Sequence, residues 1–158
     1  MNANIKRRLF IKGSVAAGTL GAAAGAGLLT PQTVLAKWSE SAFHAKSSAT
    51  ALKNLLGSDA AEESSAIKIK APDIAENGAV VPVSVTSSIP GTESISILST
   101  GNQTPLIFNA KLGPGAKGFV STRIKMGKTG DVVAIVKANG KLYKASKAVK
   151  VTIGGCGG

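Results

Sequence analysis

Apolar and polar residues alternate with a period of two through much of the chain. Val120, Thr122, Ile124 and Met126 fall on one face, with Ser121, Arg123 and Lys125 on the other. That spacing predicts a strand with one buried side. Val81, Val83 and Val85 alternate in the same way with Pro82, Ser84 and Thr86. The proline has no amide hydrogen to donate, which places this strand at a sheet edge or puts the proline at a strand end. Ile67 and Ile69 alternate with Lys68 and Lys70, Ser94 to Leu98 alternates through Ile95 and Ile97, and Leu106 to Leu112 is a further candidate. Val132 to Ala138 is a run of the buried type. Asn139-Gly140 follows it and supplies the two positive-φ positions of a tight hairpin turn. A return strand includes Leu142 and Tyr143, and a last strand alternates through Val149, Val151 and Ile153. Before the strands, Ala42, Phe43, Ala49, Leu52, Leu55 and Leu56 recur at helical spacing. They predict one helix over Glu40 to Leu56, stopped by Gly57. About seven short strands, with turn residues roughly every 8–12 positions, predict an all-β antiparallel sandwich.

The first residues stand apart from this pattern. Lys6-Arg7-Arg8-Leu9-Phe10-Ile11-Lys12 is a twin-arginine run, followed by a Gly/Ala-rich stretch from Gly13 to Leu29 and by Val34-Leu35-Ala36. This is the layout of a bacterial twin-arginine export signal, with small residues ahead of a cleavage point. The apolar stretch is short of the ~20 residues a membrane span requires. The expected organisation is a signal over residues 1–36, a helical segment over 37–57, a sandwich over 58–153 and a terminal arm over 154–158. The expected location is the periplasm, with no membrane attachment after cleavage. The twin-arginine route carries folded proteins, often with a cofactor or a partner aboard. With one cysteine, one histidine (His44) and scattered carboxylates, no metal-ligand set is visible and no cofactor is expected. A partner is the better explanation.

Charge changes the picture further. From Lys37 to Ala110 there are five bases and seven acids; from Lys111 to Gly158 there are ten bases and a single acid, Asp131. A basic half attracts anionic surfaces, acidic proteins or small anions. Nucleic acid is not an expected partner in the cell envelope.

The unusual feature is Gly154-Gly155-Cys156-Gly157-Gly158. After Ile153 no side chain except the cysteine remains to pack. Glycine has the widest backbone freedom, so Gly154, Gly155, Gly157 and Gly158 make a thin, flexible arm around the thiol. Two residues of tether and the strand end reach roughly 7–10 Å. Such an arm can enter a narrow cleft in another protein. A catalytic cysteine ordinarily sits in a fixed pocket beside a base, and His44 is far off in sequence. Cys156 therefore reads as a carried group on a protein that is not itself an enzyme. An exported lone cysteine is otherwise an intermolecular disulfide or a free thiol.

These residues carry a resemblance. Gly154 to Gly158 resembles the terminal motif of the SoxY family, the sulfur carriers of bacterial thiosulfate oxidation. Lys70-Ala71-Pro72-Asp73-Ile74-Ala75-Glu76-Asn77-Gly78-Ala79-Val80-Val81-Pro82-Val83 resembles that family's first strand region. Phe119 to Met126 and Asp131 to Lys137 resemble its later strands. The resemblance implies an immunoglobulin-like fold. It implies Cys156 as the covalent attachment point for thiosulfate-derived sulfur, with Gly154, Gly155, Gly157 and Gly158 as a swinging arm. It also implies partners: a SoxZ-like β-sandwich subunit forming a heterodimer, a c-type cytochrome complex that performs the oxidative conjugation, a hydrolase that releases sulfate, and an oxidase of the remaining sulfane sulfur. Lys147 and Lys150 are candidates for partner docking or for tolerating an anionic adduct.

Rival readings are weaker. A thiocarboxylate carrier ending in Gly-Gly conflicts with the export signal and with a cysteine two residues from the end. A prenylated terminus lacks the aliphatic residues after the cysteine. A structural module dimerising through Cys156 stays open. His44 reads as a surface helix residue and Arg123 as a solvated or interface residue.

Overall fold

The structure, a computed structural model, describes residues 39–152. The expected signal over 1–36, Ile153 and the arm 154–158 with Cys156 lie outside the described residues.

Two short helices come first, α1 (Glu40–Phe43) and α2 (Ser48–Leu56), where the sequence pattern suggested one. The break is local chemistry. Ser47 takes an extended conformation (φ −128°, ψ 149°), and its hydroxyl accepts a hydrogen bond from the Thr50 amide, which caps a new helix start. Restarting the helix resets its phase. Ala49, expected on the apolar face, is exposed, and Ala51 is buried in its place. Gly57 ends α2 at φ 84°, as expected of a left-handed glycine cap.

Nine strands follow: β1 (Glu62–Glu63), β2 (Ile67–Lys70), β3 (Ile74–Ala75), β4 (Val81–Ser87), β5 (Thr92–Ser99), β6 (Leu106–Lys111), β7 (Phe119–Ile124), β8 (Gly130–Ala138) and β9 (Lys141–Val151). They form two sheets. One has the order β1-β9-β8-β5-β6 with β3 also on β9; the other has the order β2-β4-β7. The expected β-sandwich is present, and its five long-strand pairings are antiparallel. The two shortest strands, β1 and β3, are additions, and both pair parallel to β9. The chain touches β9 at β1, crosses to the other sheet as β2, and returns to β9 as β3.

Three further details depart from the pattern. The return strand and the last strand are one element, β9. No turn residue interrupts Lys144 to Ala148, and β8 pairs with β9 without a slip from Ala138↔Lys141 to Gly130↔Val149. Strand β4 is central in its sheet, not an edge. Pro82 is tolerated because β2 reaches only as far as Ser84, so Pro82 faces β7 alone. The strand-end reading of that proline holds. Finally, the Ser/Ile alternation of β5 suggested one wet face, yet both faces are buried. The hairpin turn is as expected, with Asn139 at φ 51° and Gly140 at φ 74°.

Burial on both faces of β5 follows from two cores. Between the sheets lie Val81, Val83, Val85, Ile95, Ile97, Ile124, Met126, Val132, Val136 and Val149. On the outer face of the larger sheet, Leu98, Leu106, Ile135 and Leu142 pack against Ala42, Ala45, Ala51 and Leu52 of the helical segment. Small serines leave room for that cover, and Ser96 is satisfied by a 2.9 Å bond to Asn109 Oδ1. Leu52→Ala should therefore cost about 2–3 kcal/mol through the cavity it leaves, measured as a shift of the urea midpoint with an unchanged slope.

Candidate functional site

The site expected from sequence is Cys156 with its four glycines, which lie outside the described residues. What the structure does describe is the root from which that segment continues, the last residues of β9.

Strand β8 begins at Gly130, opposite Val149, so the backbone of Val151 has no β8 partner. The side chain of Thr129 takes that place. Its hydroxyl accepts a 2.9 Å bond from the Val151 amide and lies 3.3 Å from the Val151 carbonyl, to which it donates. The other edge of β9 is held by the β3 segment. Lys150 N donates to Asp73 O at 2.9 Å, and Thr152 N donates to Ala75 O at 3.0 Å. The final turn of pairing is thus fixed from both sides.

The loops around this root touch backbone to backbone. The Gly78 carbonyl accepts the Met126 amide at 2.7 Å. A Cβ on Gly78 would overlap the Met126 carbonyl oxygen and crowd Val151 Cγ1. Asn102 bridges two loops: its Nδ2 donates to Lys125 O at 2.8 Å, and its Oδ1 accepts from Gly127 N at 2.7 Å. Thr100 does the same for the start of β8, accepting the Asp131 amide at 2.8 Å on its hydroxyl.

The basic residues proposed from sequence separate in role. Lys147 sits on β9 between the short strands β1 and β3. Its Nζ donates to Ala71 O at 2.7 Å and pairs with Asp73 Oδ1 at 3.1 Å. It holds the crossover from β2 to β3 in place and is not a free docking cation. Lys150 is exposed opposite Ile74. Arg123 points outward from β7 and is exposed, and His44 is an exposed residue at the end of α1. Among the described residues no group of three His, Cys, Asp or Glu stands together in a way that could hold a metal ion.

A cavity of about 280 Å³ is lined by Leu55, Leu56, Glu93, Ser94, Asn109, Lys111 and Lys137. It lies at the Lys141 end of β9, because Lys137 pairs there with Leu142 and the Gly140 amide meets Glu93. At ~3.3 Å per residue, the length of β9 separates it from the root by roughly 30 Å. The cavity therefore stands apart from the root of β9.

Thr129, Asn102 and Gly78 were not among the residues singled out for function. Gly78, Asn102 and Thr129 lie in the turn segments Glu76-Asn77-Gly78, Gly101-Asn102 and Gly127 to Gly130, but a turn signal does not say which strand the loop will clamp. Thr129→Val should leave the sandwich folded and cost about 1 kcal/mol for the lost hydroxyl bonds. Its specific mark would be faster amide exchange at Val151 than at Val149, read by hydrogen–deuterium exchange.

Comparison with known proteins agrees with this geometry. The family model "Sulfur oxidation protein SoxY" matches residues 52–156. The solved structure of the sulfur carrier protein SoxY from Chlorobium limicola f thiosulfatophilum is 50% identical, covering 65% of this chain and 94% of that chain, with a TM-score of 0.59. The PKD domain of an M14-like peptidase from Thermoplasmatales archaeon SCGC AB-540-F20 is 16% identical over 53% of this chain and 92% of that chain, with a TM-score of 0.33, too distant to carry an argument. No curated protein matches. The match spans the sandwich, the clamped root of β9 and the terminal cysteine, and the chain belongs to the SoxY family of sulfur oxidation proteins.

Proposed function

We propose that this protein is a periplasmic carrier that holds thiosulfate-derived sulfur covalently on Cys156 and presents it to partner enzymes. The observation that carries the reading is the family match itself, which runs through residue 156 and so takes in the chain's single cysteine. The related protein from Chlorobium is described as a sulfur carrier. The fixed root of β9 and the glycines beyond it fit a thiol that must travel from a defined origin.

The chemistry balances as follows. Cys156 loses its thiol proton and forms an S–S bond to the outer sulfur of thiosulfate. That step releases two electrons, which a c-type cytochrome partner accepts. A hydrolase then directs water to the sulfonate sulfur. The S–S bond next to it breaks, sulfate leaves, and a persulfide remains on Cys156 for oxidation by a further partner. The chain's own part is to expose the sulfur atom and to bring it to each partner. A SoxZ-like subunit, bound before export through the twin-arginine route, completes the carrier. No resident cofactor is needed, since the adduct itself is the cargo.

The test is intact-protein mass spectrometry of the protein recovered from the periplasm of cells given thiosulfate. The conjugate should add about 112 Da and the persulfide about 32 Da, and both should disappear with reductant, because each is held by a sulfur–sulfur bond. Neither should form on Cys156→Ser. An unmodified thiol, or only a Cys156-linked dimer, would overturn the carrier reading in favour of a structural module.

A further inference from the structure

Among the described residues nothing covers the outer face of the β2-β4-β7 sheet, and it carries one sign of charge. From β2 it presents Lys68 and Lys70, and from β7 it presents Phe119, Ser121 and Arg123, all exposed. Lys125 continues it one residue past β7. Between these strands stand Pro82, Ser84 and Thr86 of β4. The register lays them out in rows: Lys68, Thr86 and Phe119; then Lys70, Ser84 and Ser121; then Pro82 and Arg123. The middle row is flat and small, with Ser84 and Ser121 sharing a 2.9 Å hydrogen bond. None of the outward residues is acidic, and no ion pair among the described residues engages Lys68, Lys70, Arg123 or Lys125. Among the described residues, two of the exposed large apolar side chains stand at its ends, Phe119 at 52% and Val80 at 49%.

We infer that this face is a transient docking surface for the enzymes that act on Cys156, and that it fits a partner whose cleft mouth is ringed with carboxylates. The inference rests on the carrier reading above. Three observations select this occupant. The charge is uniform and unpaired, so it complements an acidic surface and repels a second copy of the same face. The area is small: about 20 Å along β4 and about 14 Å across three strands, roughly 300 Å² against the ~800 Å² per partner of a stable complex. A contact of that size suits a carrier that must leave each enzyme, and not a permanent subunit. Third, the Val80 end adjoins the root of β9, since Gly78 contacts both Met126 and Val151. Cys156 lies four residues beyond Thr152 in sequence, a reach of ~14 Å. A partner seated here with its cleft over the Val80 and Lys125 end is within that reach, whereas the Phe119 end lies about 20 Å further along β4.

The experiment measures binding separately from chemistry. The full mature chain, in its complex with its partner subunit, is titrated against the purified sulfate-releasing hydrolase at low and at physiological salt. Lys68→Glu with Lys70→Glu and Arg123→Glu should slow association at least about tenfold at low salt and remove most of its salt dependence. The Gln versions of the same substitutions should fall between, and circular dichroism should match wild type for both. Cys156→Ser should bind as wild type does, because docking does not need the thiol. Binding unchanged by the charge reversal, or no binding by wild type, overturns the docking surface. So does finding that the reversal instead abolishes self-association or attachment to phosphatidylglycerol vesicles. Intact binding with no adduct on wild-type Cys156 would leave the surface standing and overturn the carrier reading alone.

Discussion

The backbone ladder of β9 is the constraint on which the other parts depend. This strand runs eleven residues, Lys141–Val151, and is held on one edge by all nine residues of β8. On its other edge β1 and β3 bind at separate heights, with the crossover through β2 between them. That crossover joins the two sheets. Lys147 reaches from the uncovered middle of β9 to hold it, donating to the Ala71 carbonyl. The hydrogen bond to a carbonyl matters more here than the ion pair with Asp73, whose side chain is 89% exposed and screened by water. A strand bonded along its length opens only when the sheet opens. The segment that continues it starts from a backbone held on both edges, by Thr129 on one and by the β3 segment on the other.

The strands were legible because each long one buries a face at a spacing of two, and the hairpin because only residues tolerating positive φ fit its corner. Asn139 and Gly140 adopt those angles. What did not show in the pattern was always a matter of who covers whom. The serines of β5 look like a wet face until α1 and α2 lie over them. A helix resting on a sheet needs small residues beneath it, and Ser94 and Ser96, on the same face as Leu98, supply smallness while reading as polar. Pro82 reads as an edge signal because a proline cannot donate. The sheet accommodates it by ending β2 two residues short, which no property of β4 alone reveals. β1 and β3 are two residues each, below the length at which periodicity has meaning.

The cysteine and its glycines stand out in the sequence by composition alone, and they lie outside the described residues. The root does not stand out. Thr129 looks like any loop threonine, yet its hydroxyl both accepts from and donates to Val151 where the neighbouring strand has run out. Asn102 is a turn residue by composition, and it works as a substitute strand between the Lys125 carbonyl and the Gly127 amide. Lys147 and Lys150 looked equivalent in the basic half of the chain. Their different burial and partners separate them, since one is a fastening and the other is exposed.

A carrier faces two opposed demands. Its sulfur must enter several different clefts, which favours a long loose tether, and it must be found in them often, which favours a short one. For a flexible link the effective concentration at a fixed point falls as roughly the −3/2 power of length once the span is reached. A fixed root resolves this conflict better than a longer tether does. In the proposed role, fraying of β9 at Val151 would lengthen the tether with each residue released and dilute the thiol at a partner's cleft. Clamping by Thr129 and Ala75 fixes the point from which the segment beyond Thr152 continues. In the proposed role, weak charge-led docking on the β2-β4-β7 face then sets the orientation, and the short tether supplies the local concentration. Neither contact has to be tight, so the carrier can be released as readily as it is bound.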